Sequence, residues 1–246
     1  MQGAQDRQGM DVAVGAPTGK GGAAGAGRSA KRDAATGSES PAKEATPIRS
    51  VVFDNGNVLM TFDPMAFCRP YADEEDARAI CQAVFKSPYW ALLDADAIGE
   101  DTLLMLAQAH LPARLHGAAQ EAFAHWHEHH PPIQATCDLV RRLHQAGLGV
   151  YLLSNAGRRF QKIKETLPCL DVLDGWVVSA YEKVMKPDPR IYRVLCDRYG
   201  LVAGETLFVD DYPDNLLGAQ EVGMQTHLFV GADDLEAFLR GRGLDF

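Results

Sequence analysis

Four short apolar runs in this chain end in residues that can handle a charged oxygen group. "VVFDNGNVLM" (51–60) delivers Asp54, "LGVYLLSN" ends in Ser154 and Asn155, "GWVVSA" brings Ser179, and "ETLFVDD" closes on Asp210 and Asp211. Lys183 and Lys186 follow the third run, in "EKVMKPDPRIY". Carboxylates arriving from separate strands offer hard oxygens to a cation such as Mg²⁺, while hydroxyl and ammonium groups hold phosphoryl oxygens. One polar strand end is usually a solvated surface residue. Four of them together point to a shared site.

Presenting these residues together needs strands covered on both faces. The four runs are almost continuously apolar up to their ends, the texture of a parallel sheet. Helical patterns alternate with them. "IQATCDLVRRLHQAG" places Ile133, Cys137, Val140 and Leu143 on one face and stops at Gly147. "DPRIYRVLCDRYG" has Asp188 as N-cap, Pro189 at the first helical position and Gly200 as terminator, and "PDNLLGAQEVG" ends at Gly223. The alternation predicts an α/β fold with a Rossmann-like, doubly wound parallel sheet. Ligands bind such sheets beyond the carboxyl ends of the strands, where the polar residues lie.

Two stretches depart from the alternation. Residues 64–131 hold no convincing strand, only helical material such as "DEEDARAICQAVF", "EDTLLMLAQAH" and "ARLHGAAQEAFAHWHEHH". That predicts a helical cap inserted into a core made of 47–63 and 132–246. Residues 1–46 are rich in Gly, Ala and Ser and nearly free of large apolar side chains, which predicts a disordered tail. The remaining chain is long enough for one α/β core plus the insertion. A net charge of −9 argues against a nucleic-acid surface, which needs clustered Lys and Arg. No apolar run approaches the roughly 20 residues of a membrane span, and the N-terminus lacks the apolar stretch of a secretory signal. The expectation is a cytoplasmic protein with no membrane partner. The five scattered cysteines have no metal-ligand spacing and fit reduced thiols.

In order along the chain, "FDNGNVL", "LLSN", "KPDPRIY" and "FVDDYPDN" resemble the four motifs of the haloacid dehalogenase superfamily of phosphohydrolases. The resemblance covers 47–246, and the insertion lies where subclass I members carry a helical cap. It implies a Mg²⁺-dependent phosphatase acting on a small phosphorylated metabolite, with sugar phosphates favoured. It implies that Asp54 is the nucleophile and forms an aspartyl-phosphate. Asp54 would also bind Mg²⁺ with the Gly56 carbonyl and Asp211, while Asp210 stands behind them or reaches the ion through water. By the same resemblance Ser154 and the Asn155 amide hold phosphoryl oxygens, Lys186 balances charge on Asp54 and the phosphoryl group, and Asn215 orients the acidic loop. Lys183, outside the "KPD" context, is expected to face solvent or the substrate entrance.

The opening motif departs from the family pattern. Phosphatases of the family usually carry a second Asp two residues after the nucleophile, as acid for the leaving group; this chain has Gly56. Asn57 stands where glycine is usual and Val58 where threonine is usual, and Asn tolerates a left-handed backbone. Three readings follow. One is a phosphatase whose leaving group needs little protonation, such as an anomeric hydroxyl or an acyl phosphate, as in members with a "GNV" motif that resemble sugar-1-phosphate phosphatases. The others are a non-catalytic phosphate-binding module and a 2-haloacid dehalogenase, whose halide leaves without a proton. The retained lysine and acidic pair favour the first. Asp63 in "LMTFDP" is a candidate substitute acid, with an N-cap as its competing role. In "HWHEHH", His125 and His129 share a helix face as a metal pair or simply as a His-rich helix end. Trp90, Trp126 and Tyr89 are expected to pack the insertion's own core or line the entrance, and Arg158 and Arg159 to be helix-surface charges or contacts to a substrate's far end.

Overall fold

Every strand in the computed structural model, which describes residues 46–246, runs parallel to its neighbours. The tail expectation, Thr46 apart, lies outside the described residues. β1 (Ser50–Phe53) is followed by α1 (Pro64–Cys68), α2 (Glu74–Ala83), α3 (Pro88–Asp94), α4 (Glu100–Ala109) and α5 (His116–His125). Next come α6 (Gln134–Gln145), β2 (Gly149–Ser154), α7 (Phe160–Ile163), β3 (Gly175–Val178), α8 (Ser179–Glu182) and α9 (Pro189–Tyr199). β4 (Thr206–Asp210), α10 (Pro213–Glu221), β5 (Gln225–Leu228) and α11 (Ala232–Gly241) complete the chain. The sheet order is β3-β2-β1-β4-β5, so the doubly wound parallel sheet is as expected.

Alternation along the strands divides the apolar side chains between two layers. Val51, Phe53, Leu152 and Val209 pack with Leu139 and Leu143 of α6 and Leu235 and Leu239 of α11. Val52, Leu153, Val177 and Phe208 pack with Ile191, Tyr192 and Leu195 of α9 and Leu216 of α10. α9 begins where its sequence says: the Asp188 carboxylate accepts from the Arg190 N–H at 2.9 Å, Pro189 opens the helix, and Gly200 ends it at φ 66°. The fifth strand was absent from the sequence reading. "QTHL" is polar and only partly buried because β5 lies at the sheet edge, where no continuous apolar run is required. The five cysteines are free thiols. No described helix is long and apolar enough to cross a membrane.

Between β1 and α6 the described chain forms helices, turns and two isolated bridges. Its apolar residues do not form a separate core. Phe67, Ile80, Leu103 and Phe123 belong to the same cluster as Val51 and Phe53 of the sheet. An aromatic group closes the junction: Trp126 lies 5.3 Å from Trp90 and 6.0 Å from Phe62 between ring centres, and His130 packs 5.9 Å from Phe62. The His130 ring is 5% exposed, and neither nitrogen has a hydrogen-bond partner among the described residues. Burial pushes its pKa down to about 4, so the ring is neutral in the folded protein.

One glycine lets α10 pack closely against the segment that carries Lys186. A Cβ at Gly218 in α10 would overlap the carbonyl group of Pro187, next to Lys186. Gly218→Ala therefore forces α10 or the Lys186 segment to move. It is expected to destabilise the fold by about 1–3 kcal/mol in urea unfolding. Gly117→Ala in α5, where an added Cβ meets nothing within 4 Å, is expected to be neutral or slightly stabilising. Equal effects would sink this account. His130 generates a pH prediction with a definite sign. Between its unfolded value of 6.5 and its folded value of about 4, the unfolded chain binds more protons, so acid costs stability across that window. The full loss at pH 4 is on the order of 3 kcal/mol. Unfolding of His130→Phe, followed from pH 7 to pH 4, should depend less steeply on pH than wild type.

Candidate active site

β1 ends at the site because its last peptide is still paired: the Asp54 N–H donates to the Val209 carbonyl at 2.9 Å. The chain then turns sharply at Asn57, whose φ of 54° is the left-handed conformation expected from the motif. Asn57 does more than turn the chain. Its Oδ1 accepts from the Phe62 N–H at 3.0 Å, and its Nδ2 donates to Asp211 Oδ2 at 3.2 Å, tying the first loop to the acidic one.

Lys186 lies beneath both loops with its side chain 1% exposed. Its Nζ is 2.7 Å from Asp54 Oδ1 and 2.7 Å from Asp210 Oδ2. Burial alone would lower the lysine's pKa, but the two carboxylates outweigh it and hold the ammonium form. Burial pushes the Asp54 carboxyl upward, and Lys186 opposes that push. Asp210, fully buried, also accepts from Asn215 Nδ2 at 3.0 Å through each oxygen and from the Tyr212 N–H at 2.8 Å.

Asp54, Asp210 and Asp211 present carboxylate oxygens within 4.8 Å of one another. Three carboxylates against one ammonium leave excess negative charge, and clustered hard oxygens suit a divalent cation. Since Asp210 is already bonded on both oxygens, Asp54 and Asp211 are the carboxylates open to an ion, with Asp210 behind them. Gly56 borders the same space.

Ser154, at the end of β2, is buried and lines the cavity beside Asp54. The Asn155 side chain holds the Lys186 backbone from both sides, donating to its carbonyl at 2.9 Å and accepting from its N–H at 2.8 Å. That clasp was not part of the sequence reading, which considered only the backbone amide. Ser179 joins three segments: its Oγ donates to the Asp94 carbonyl at 2.6 Å and accepts from the Ala156 N–H at 2.9 Å.

The cavity above these residues measures about 260 Å³. Phe62, Trp90, Trp126, Phe160 and Ile163 line the same cavity, together with His130 and Arg159. Trp90 and Trp126 thus both pack the junction and face the ligand space. Tyr89 does not line this cavity; it stacks on His110. The two arginines after β2 are neither free surface charges nor free substrate contacts. Arg158 pairs with Asp96 through two contacts of 2.7 Å, and Arg159 pairs with Glu100 at 2.7 and 2.8 Å while reaching the carbonyls of Phe123 and Ala124. Both therefore tether the insertion to the loop after Ser154.

Other candidates lie outside the cluster. Asp63 is the N-cap of α1, accepting from the Met65 N–H at 3.0 Å, and is not part of the cavity wall. The Lys183 side chain is 71% exposed and 3.8 Å from Asp96, so it faces solvent. His125 engages Glu128 at 2.9 Å instead of pairing with His129 around a metal. One acidic cavity residue went unnoticed in the sequence: Asp94, the last residue of α3, is 8% exposed and lines the same space as Asp54. Nothing in "LLDADAIGE" distinguishes it from the acidic residues around it.

Known proteins share this architecture. The chain is 28% identical over 182 residues to the sesquiterpene phosphatase astK of Aspergillus oryzae, spanning 73% of this chain and 88% of that protein. It is 36% identical over 90 residues to (S)-2-haloacid dehalogenase 4A of Burkholderia cepacia, a match covering 36% of this chain and 39% of the relative. A solved dehalogenase superposes with a TM-score of 0.62 at 24% identity, covering 78% of this chain and 97% of its own. A mutant family enzyme from Bacteroides thetaiotaomicron, solved with magnesium and inorganic phosphate, superposes with a TM-score of 0.56 at 20% identity over 73% of this chain and 93% of its own. The family model for haloacid dehalogenase-like hydrolases matches residues 48–223, a span running from β1 past the acidic loop, and the chain belongs to that family.

Proposed function

We propose that this hydrolase is a Mg²⁺-dependent phosphatase that works through an aspartyl-phosphate on Asp54 and takes a phosphorylated metabolite with an apolar organic group. The observation that carries the reading is one cavity lined both by carboxylates, Lys186 and Ser154 and by a group of aromatic rings. Asp54 attacks phosphorus. Lys186, fixed through its backbone by Asn155, opposes the rise that burial imposes on the Asp54 carboxyl and attracts the phosphoryl oxygens. Ser154 and the Asn155 amide hold those oxygens, and Asn215 keeps Asp210 oriented toward Lys186. Bound Mg²⁺, held by Asp54, Asp211 and the Gly56 carbonyl, would supply charge neutralisation for nucleophile and phosphoryl group.

The aromatic lining moves the substrate away from the sugar phosphate suggested by the motifs. A sugar's hydroxyls need hydrogen-bonding partners when buried, and a lining of Phe62, Trp90, Trp126, Phe160 and Ile163 is better matched to hydrocarbon. The relative named as a sesquiterpene phosphatase supports the same choice. The dehalogenase relative and the missing acid at Gly56 favour a second reading, attack of Asp54 on the carbon of a 2-haloacid. Against it stands the carboxylate cluster tied together through Asn57, which carbon attack does not require.

The deciding assay supplies Mg²⁺ and compares farnesyl phosphate, glucose 1-phosphate, glucose 6-phosphate, acetyl phosphate and 2-chloropropionate. Phosphate release should be fastest from farnesyl phosphate, vanish with a chelator and return with Mg²⁺. Asp54→Asn should lower it on the order of 10³-fold or more. Chloride release without metal selects the dehalogenase; phosphate binding by calorimetry with no turnover selects a binding module. Trp90→Ala and Trp126→Ala should each lower kcat/KM for farnesyl phosphate by about 10- to 100-fold, mainly through KM, and leave acetyl phosphate turnover nearly unchanged.

A further inference from the structure

The family's usual proton donor is replaced by Gly56, and lack of room does not explain the replacement. A Cβ at Gly56 would meet only the Phe62 Cβ, at 3.9 Å. An alcohol leaving as alkoxide needs a proton, and an apolar alcohol is a poor leaving group without one. Some group in the cavity must supply it.

The other candidates are already committed. Asp63 caps α1 and does not reach the cavity. Lys186 is held between Asp54 and Asp210, and Asp210 is bonded on both oxygens. His130 faces the cavity as a neutral ring among aromatic neighbours. Asp94 remains.

We propose that Asp94, carried into the cavity by the end of α3, is the proton donor to the leaving oxygen and then the base for the attacking water. The assignment rests on the phosphatase reading above. Three observations support it. The carboxyl is buried and shares the cavity with Asp54, Ser154 and Lys186. Its backbone is fixed, since Ser179 Oγ donates to its carbonyl at 2.6 Å, and its carboxyl lies against the loop after Ser154, where a Cβ at Gly157 would come within 3.8 Å of Asp94 Oδ1. Finally, it has no ion-pair partner among the described residues, whereas the nearby Asp96 is paired with Arg158 and Lys183. A buried carboxyl without a cation is far cheaper to keep protonated than ionised. Burial accordingly raises its pKa well above the ordinary carboxylate range; the Asp54 charge adds to the rise, and hydrogen bonds from Gly157 and Trp90 only partly oppose it.

The chemistry balances. In the first step an Asp54 oxygen bonds to phosphorus, the bond from phosphorus to the organic oxygen breaks, and that oxygen takes the Asp94 proton and leaves as the alcohol. In the second, the Asp94 carboxylate removes a proton from water as water bonds to phosphorus. The Asp54–phosphorus bond then breaks, releasing phosphate and the Asp54 carboxylate, with Asp94 already reprotonated by the water.

The test compares 4-nitrophenyl phosphate, whose leaving group needs no proton, with farnesyl phosphate and hexyl phosphate. In single turnover, Asp94→Asn should slow alcohol release from the alkyl substrates by about 10²- to 10⁴-fold and 4-nitrophenol release far less, while the later release of phosphate slows alike on both, with unchanged orthovanadate binding and melting temperature. Asp94→Glu should recover part of the alkyl activity. Equal losses in the alcohol-release step on both kinds of substrate, or no loss on either, would overturn the assignment. If the Asn variant does not fold, the Glu variant carries the same comparison. A wild-type protein silent on every ester would remove the phosphatase reading and the acid with it, an outcome distinct from an active wild type whose Asp94→Asn variant shows no leaving-group dependence.

Discussion

A lysine ammonium buried between two aspartates is the interaction on which the rest of the site depends. Taking such charges out of water costs several kcal/mol per ion unless each finds close partners. Here every partner is supplied by a different strand end: Asp54 after β1, Asp210 at the end of β4, and Lys186 on the segment after β3. The Asn155 clasp on the Lys186 backbone and the close approach of Gly218 to Pro187 hold the lysine at that meeting point. The Tyr192 hydroxyl, donating to the Asn215 carbonyl, anchors the start of α10 from below. Parallel strands bring these groups to one edge, and the buried ion pair fixes them there.

The insertion contributes Trp90 and Trp126 to the cavity and does so as part of the same hydrophobic body. Because Phe67 and Phe123 pack in one cluster with Phe53, the aromatic residues above the site are positioned by the core itself. A cavity lined by both charged groups and aromatic rings suits a molecule with a charged and an apolar part. Binding energy from the apolar part can then be used to place the phosphoryl group against Asp54.

The sheet, the strand-end carboxylates and the lysine were legible because their signals are local. Continuous apolar runs mark buried strands, and Asp188, Pro189 and Gly200 mark helix ends through backbone geometry alone. β5 escaped because an edge strand need not be apolar, and α1 and α3 because five and seven residues are too few to show a helical period. Asp94, Arg158 and Arg159 escaped for a different reason. Arg158 finds its partner 62 residues away and Arg159 finds Glu100 at a separation of 59, so only the packed fold reveals which charges are paired. The same holds for Asn57: its left-handed turn was readable from residue type, while its bond to Asp211 spans 154 positions. Of the apolar lining, Trp90 and Trp126 were legible as large aromatics in the insertion, while Phe62, Phe160 and Ile163 join them from β1's exit loop and α7 only in the packed fold.

The two arginine tethers differ in their exposure to water. The Arg158 side chain is 66% exposed, whereas that of Arg159 is 17% exposed and lies over the Phe123 ring at 4.6 Å. Dissolved ions screen exposed charges much more than sheltered ones. Rising ionic strength therefore loosens the Asp96 end of the insertion before the Glu100 end.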